Sequence, residues 1–311
     1  MASAPPTNNY PENTVYSENN AQRNGLIIAV MAALLFSTKP ILIKYLYQLG
    51  IEPLPLMTIR MLMALPIYLI VGAYAWKRLP QKPDNLQLFK AAMIGLLGYY
   101  LATYLDLQGL QYISAQFERV ILYAYPSFVV ILGALLFQQK FKATLIFPLL
   151  LTYGGLILMY ASDISISGLS ADTHLKGVLL ILASAVSFAF YILFSKESIG
   201  VLGSLLFTSI AMTSASLAIS IHQVIVNGVQ LQNYSGEVWF YLAVLSMFAT
   251  VLPSFMTSEA IKRIGPQKAS MTGTLGPVAT SIMAIIFLGE TLSFSGLVGM
   301  LLVIIGIRKL S

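Results

Sequence analysis

Residues 113–136 read ISAQFERVILYAYPSFVVILGALL, and residues 264–287 read IGPQKASMTGTLGPVATSIMAIIF. Laid over each other with a shift of 151 and no gap, they share Ile113/Ile264, Gln116/Gln267, Pro126/Pro277 and Ile131/Ile282. The same shift carries on downstream through Leu150/Leu301, Leu151/Leu302 and Gly155/Gly306. Two apolar segments match by chance at apolar positions, but a shared proline and a shared glutamine are less easily dismissed. A shift of 152 pairs a separate stretch through Gly25/Gly177, Ala33/Ala185, Phe36/Phe188 and Lys44/Lys196. Two stretches thus agree on nearly one shift, and the chain reads as two copies of one unit.

Each copy is apolar in long blocks. The chain is 57% hydrophobic and 10% charged, with a mean hydropathy of +0.79. A water-soluble domain carries about 25% charged residues, so the outer surface here must face something other than water. The apolar blocks run to roughly 20 residues, which spans a hydrocarbon core of about 30 Å. Helices are the expected spanning element, because backbone groups in lipid must bond internally. The short alternating strands of a membrane barrel are absent from the pattern. The reading is an all-α membrane protein with ten transmembrane helices, expected at 25–47, 54–76, 86–108, 113–136, 141–161, 175–195, 202–226, 237–258, 268–288 and 291–308. Residues 23–161 and 162–311 form the two five-helix repeats, and the longest connections are expected at 77–85 and 162–174. Residues 1–22 are polar and rich in Asn, and are expected to be a disordered cytoplasmic tail. They lack the pattern of a signal peptide, so the first span is expected to act as an uncleaved anchor.

Positive charge orients the spans. Of the 18 Lys and Arg, 13 fall at Arg23, Lys77, Arg78, Lys82, Lys90, Lys140, Lys142, Lys196, Lys262, Arg263, Lys268, Arg308 and Lys309, all on one set of connections. Lys44 and Lys176 fall on the other set, and Lys39, Arg60 and Arg119 lie inside spans. The bias places both termini in the cytoplasm, for a multi-pass protein of the plasma (inner) membrane. Five spans is an odd number, so the second copy enters from the opposite side. The halves are then an inverted-topology repeat, with a solute site expected near the midplane between them.

Several chemistries are set aside. With no cysteine, there is no disulfide, thiolate metal site or Cys nucleophile. His174 and His222 are the only histidines, and no metal or cofactor is expected. The net charge of +6 reports topology and not nucleic-acid binding. No GxxxxGK-[Ser/Thr] motif is present, so an ion or solute gradient is the expected energy source.

From about residue 25 to 310 the chain resembles the ten-span branch of the drug/metabolite transporter superfamily, the EamA-like proteins. The resemblance rests on the two five-span halves and on the Phe36…Lys44 stretch that ends the first span. It rests most on TLGPVATSIMAIIFLGETLS at 274–293, in which Pro277 is followed by Gly289-Glu290. The first half departs from this, with Gln138-Gln139 in place of Gly289-Glu290. The resemblance implies export or exchange of amino acids or other small metabolites through a cavity between the halves. Members differ widely in substrate.

A charge inside the bilayer costs ~2.5 kcal/mol or more, and so faces a cavity or a partner. Five occur, Lys39, Arg60, Asp106, Glu118 and Arg119, all in the first half. At ~1.5 Å per residue all five fall in the outer third of the membrane. One reading is a binding or gating cluster, in which an unmatched positive holds an anionic group and a carboxyl carries a coupling proton. The other is a self-neutralising ion-pair network that closes the outer entrance; the two can coexist. Arg119 shares a face with Tyr123 and Pro126 and is expected to face the cavity, which leaves Glu118 to pair with Lys39 or Arg60. Tyr99, Thr103 and Asp106 share another face, a polar-aromatic stripe suited to an amphipathic solute, while Tyr100 and Tyr104 occupy the next. Tyrosines also pack between helices and anchor at interfaces.

Helix breakers recur at Lys39-Pro40, Pro66, Pro126, Pro253 and Gly276-Pro277. The repeat-related pair Pro126 and Pro277 is expected to hinge. Gly154-Gly155 in the fifth span, and Gly296, Gly299 and Gly306 in the tenth, are expected to pack each span to its own half; a dimer seam is the alternative. The protein is expected to be a monomer or weak dimer. A membrane-embedded enzyme, or a scaffold or lipid scramblase, are competing readings. Such enzymes place paired carboxylates or histidines at an interface, whereas Glu259 and Glu290 of the second half sit at span ends.

Overall fold

The computed structural model describes residues 12–136, 143–228, 233–272 and 275–310, so Gln138 and Gln139 lie outside it. The described residues are helical throughout their regular structure, with no strand. The helices are α1 (Glu12–Ser37), α2 (Lys39–Gln48), α3 (Pro53–Arg78), α4 (Asn85–Gly95), α5 (Ala102–Gly109), α6 (Ala115–Leu122), α7 (Tyr125–Leu136), α8 (Ile146–Ser167), α9 (Ala171–Asn227), α10 (Gly236–Ser246), α11 (Leu252–Met271), α12 (Leu275–Leu288) and α13 (Phe294–Arg308). Seven continuous stretches are long and apolar enough to cross a membrane, and two shorter apolar helices, Gly276–Leu288 and Phe294–Arg308, follow them.

The core is apolar, as in a water-soluble protein, but much of the outer surface is apolar too. Ile70, Leu135, Ile225 and Phe294 are 69%, 72%, 76% and 81% exposed, whereas Arg60, Asp106, Glu118 and His174 are buried. Lipid tolerates the first set, and the interior must satisfy the second.

Several boundaries differ from the sequence reading. α1 begins at Glu12, inside the stretch expected to be a polar tail. The 162–174 segment is not a long loop, because only Gly168–Ser170 separates α8 from α9. Gly168 ends α8 in the left-handed conformation (φ 66°), and the Ser170 side chain accepts from the Thr173 amide to start α9. The expected spans 175–195 and 202–226 are two helices that follow each other without a loop within the 57 residues of α9 and are divided at Gly203, whose φ of 75° suits glycine alone. A straight helix of that length would be about 85 Å long, so the bend is what lets it fit a membrane. Gly265 (φ 78°) divides α11 in the same way, just before Pro266.

The repeat reappears in three dimensions as matched contacts. The third and eighth expected spans each widen into a π turn, at Leu96–Leu101 and Met247–Val251, and 96 to 247 is again 151 residues. Gly25 packs on Arg263 and Ile264, while Gly177 packs on Tyr112 and Ile113, the positions 151 residues earlier. Gly155 lies against Gly299 and Val303, while Gly306 lies against Pro148 and Thr152. That last set closes on itself under the same shift, the reciprocity a two-fold axis produces. The glycines therefore join α8 to α13 across the two copies, correcting the expectation that each span packs to its own half. A side chain at Gly155 would meet the Gly299 carbonyl oxygen at 2.5 Å, so only glycine permits this approach. Gly154 faces open space.

Candidate functional site

A cavity of about 1110 Å³ of unfilled space, part of it open to solvent, lies among residues of both copies. Helix breaks shape its wall. α1 stops at Ser37 and the chain restarts as α2 with Pro40 in its first turn. α6 stops at Leu122 and α7 restarts with Pro126 as its second residue, and Pro277 is the third residue of α12. Each proline thus sits in a first turn, where its missing N–H is least costly. Pro40, Pro126 and Pro253 also cannot donate to the carbonyls of Phe36, Leu122 and Ala249 four residues back, and all three of those residues line the cavity. The two π turns reach the same wall through Gly98, Tyr99, Ala249 and Thr250. Ser187 and Ser184 on α9 donate to the carbonyls of Leu97 and Ala102, at 2.8 and 2.7 Å. Widened turns of this kind gather at functional sites.

Of the five intramembrane charges, Lys39, Arg60, Asp106 and Arg119 line the cavity and Glu118 does not. Lys39 Nζ donates to Asp106 Oδ2 at 2.5 Å, with Asp106 only 2% exposed. Glu118 is buried with its carboxyl group against that of Asp106. The expectation that Glu118 pairs with Lys39 or Arg60 is therefore corrected: α5 brings Asp106 between them, and Asp106 takes the lysine. Arg60 is 2% exposed and makes no ion pair among the described residues, and its Nε has no partner. Arg119 Nη2 donates to the Ala33 carbonyl at 3.2 Å, and its Nε also lacks a partner.

Tyr99, Thr103 and Tyr123 line the same cavity. The Tyr99 hydroxyl is bonded to that of Tyr191 (3.1 Å), and the Tyr123 and Tyr125 hydroxyls donate to the Met271 and Ser270 carbonyls (3.2 and 3.1 Å). Tyr100 and Tyr104 turn instead to His222, the former through a 3.2 Å hydrogen bond.

The second copy contributes wall that the charge search did not find: Phe188, Ile192, Met212 and Thr250. The Phe36/Phe188 match was the one signal that pointed there, since both rings line the cavity. Also unforeseen is the role of Glu290. Its carboxylate accepts from the backbone amides of Ala115 (2.7 Å) and Gln116 (3.2 Å). Asp163 accepts from the Ser114 amide at 3.3 Å and is itself held by His174 Nε2 at 2.8 Å. Two carboxylates thus fix the N-terminus of α6, the helix that carries Glu118 and Arg119, where the helix dipole favours negative charge.

Comparison with known proteins gives two matches of this chain to one family model, the EamA-like transporter family, at residues 23–161 and 175–311. An uncharacterized transporter, YcbK, of Bacillus subtilis (strain 168) is 28% identical over 282 residues, covering 88% of each chain. GDP-fucose transporter 1 of Dictyostelium discoideum is 26% identical over 204 residues, covering 63% of this chain and 53% of that one. A crystal structure of a protein 14% identical to this one superposes with a TM-score of 0.68, over 92% of this chain and 96% of that one. At that identity the likeness is one of fold.

Proposed function

The chain belongs to the EamA-like transporter family, and on that premise we propose that it is a secondary transporter, an exporter or exchanger of small organic metabolites such as amino acids. It works by alternating access between two five-span halves of inverted topology, residues 23–161 and 162–311. The observation that carries this reading is the cavity itself: four charged side chains of the first half share it with an aromatic and aliphatic wall to which both halves contribute.

Counting the bend at Gly203 as a reversal, the seven long stretches and two short helices make ten passes. The contacts of α8 and α13 support the inversion. Pro148 meets Gly306, Gly155 meets Gly299 and Ser162 meets Gly296, so the two helices run antiparallel. A two-fold axis that relates antiparallel helices lies perpendicular to them, and hence in the plane of a membrane they cross. Both termini are then cytoplasmic, in the plasma (inner) membrane, as the distribution of Lys and Arg favours.

Within the site, Lys39, Asp106 and Glu118 form the outer gate, closed here by the buried ion pair. Arg60, Arg119, Tyr99, Thr103 and Tyr123 bind the solute, and Pro126 and Pro277 serve as hinges. If transport is coupled to protons, the adjoining carboxyl groups of Asp106 and Glu118 are where the proton resides.

The test is reconstitution into liposomes with a screen of labelled amino acids and related metabolites. The expected result is saturable flux of at least one solute, lost when Arg60 or Arg119 is neutralised in a folded protein. Absence of flux for every solute, with the folded state verified, would contradict the reading.

A further inference from the structure

We propose that the solute carries a net negative charge: the cavity takes an organic carboxylate with an aromatic or branched apolar body in preference to a zwitterion or cation of the same shape. This rests on the transporter reading and narrows its substrate class.

The argument begins with charge. The cavity wall holds three cations, Lys39, Arg60 and Arg119, and one carboxylate, Asp106. Lys39 is matched to Asp106 at 2.5 Å. The two guanidinium groups are not matched, and each leaves its Nε unpartnered in a buried position. A buried cation without a counter-charge is strongly disfavoured, so the wall by itself is electrostatically incomplete. With Lys39 matched to Asp106, Arg60 and Arg119 leave two positive charges on the wall, of which Glu118 behind it offsets at most one, so at least one positive charge remains for a carboxylate to neutralise. Guanidinium also matches carboxylate in shape, with two parallel N–H donors facing two oxygens.

The alternatives fit worse. A cationic solute would meet three positive groups. A zwitterion brings no net charge: even with its ammonium on the unpartnered Asp106 Oδ1, the excess of Arg60 and Arg119 over the wall's carboxylate stays uncompensated.

The remainder of the wall describes the body of the solute. The hydroxyls of Tyr99, Tyr123 and Tyr125 are engaged by protein groups, so these residues offer ring surface. Tyr125 meets Phe188 edge-on at 5.1 Å, and Phe188 stacks on Tyr191 at 5.4 Å, giving a continuous aromatic surface. The charged pole thus belongs to the first half, and both halves supply the apolar surface around it.

The experiment uses the purified full chain and three probes with one ring and stepwise charge: N-acetylphenylalanine (anion), phenylalanine (zwitterion) and phenylalanine amide (cation). Phenyllactate and phenylbutyrate serve as further anions. Binding is read as competition and as ligand-induced thermal stabilisation, and transport as liposome uptake of the same probes. At least one anion should bind about tenfold or more tighter than phenylalanine, the scale of one charge-assisted contact, and the amide should not bind. Arg60→Gln and Arg119→Gln should each abolish that preference. Arg60→Lys keeps the charge, should keep part of the preference, and serves if the glutamine variant fails to fold. Binding of phenylalanine or its amide as tight as the best anion, or binding by none of the anions, overturns the proposal. Uptake of the zwitterion or cation in that case leaves the transporter reading intact. Anion binding without any flux overturns the transporter reading and leaves the charge class standing.

Discussion

Lys39 and Asp106 illustrate how far single residues could be read in advance. The high cost of charge in a bilayer pointed to Lys39, Arg60, Asp106, Glu118 and Arg119 as facing a cavity or a partner, with Arg119 expected in the cavity; all but Glu118 line it. Which carboxylate takes Lys39 was not legible, because it depends on how α5 and α6 are rotated toward each other, and that rotation has no signature in spacing. The pair makes a prediction about stability. Lys39→Gln should lower stability by about 3–5 kcal/mol, because it leaves Asp106 buried without its partner. The double variant Lys39→Gln/Asp106→Asn should recover most of that loss, and thermal unfolding of the purified variants checks both. Tyr99 gives the opposite expectation. Its hydroxyl serves Tyr191 and not the solute, so Tyr99→Phe should retain transport while losing about 1 kcal/mol of stability from one buried hydrogen bond. Flux and melting temperature measured on the same preparation separate the two effects.

Among the helices, the long apolar blocks fixed most spans to within a few residues, since hydropathy over a block of bilayer length is a strong signal. The breaks at Gly203 and Gly265 fall beside and inside the connections expected at 196–201 and 259–267, but that a glycine of positive φ makes each of them was not legible. The π turns were missed because one extra residue in a turn leaves composition unchanged. The glycines of the fifth and tenth spans were read as packing residues, but their partner across the repeat emerged only from contact. Two neighbouring glycines test that contact. Gly155→Val would drive a side chain into the Gly299 backbone and should cost at least the 1–3 kcal/mol typical of overpacking. Gly154→Val meets nothing within 4 Å and should be close to neutral. Parallel thermal melts in one detergent decide between these outcomes.

For the assembled chain, the repeat was legible from Pro126/Pro277, Gln116/Gln267 and the shared shift, and the family model matches it twice. Its geometry was less so. Reciprocal contacts such as Gly25 on Ile264 and Gly177 on Ile113 state a two-fold relation that no alignment of the two stretches contains. The charges then break that symmetry, because all of them on the cavity wall come from the first copy. The alternating access proposed above thus combines a repeated scaffold with charges on one side only. Everything in this mechanism depends on the halves facing opposite ways across the membrane. The chain has no cysteine, so single cysteines report sidedness without a background. Gln111 and Lys262 are exposed and related by the repeat shift, 111 to 262 being 151 residues. Gln111→Cys in intact spheroplasts should react with a membrane-impermeant maleimide, whereas Lys262→Cys should react only after permeabilisation. Labelling of both cysteines from the same side would contradict the inverted repeat, and with it alternating access between the halves.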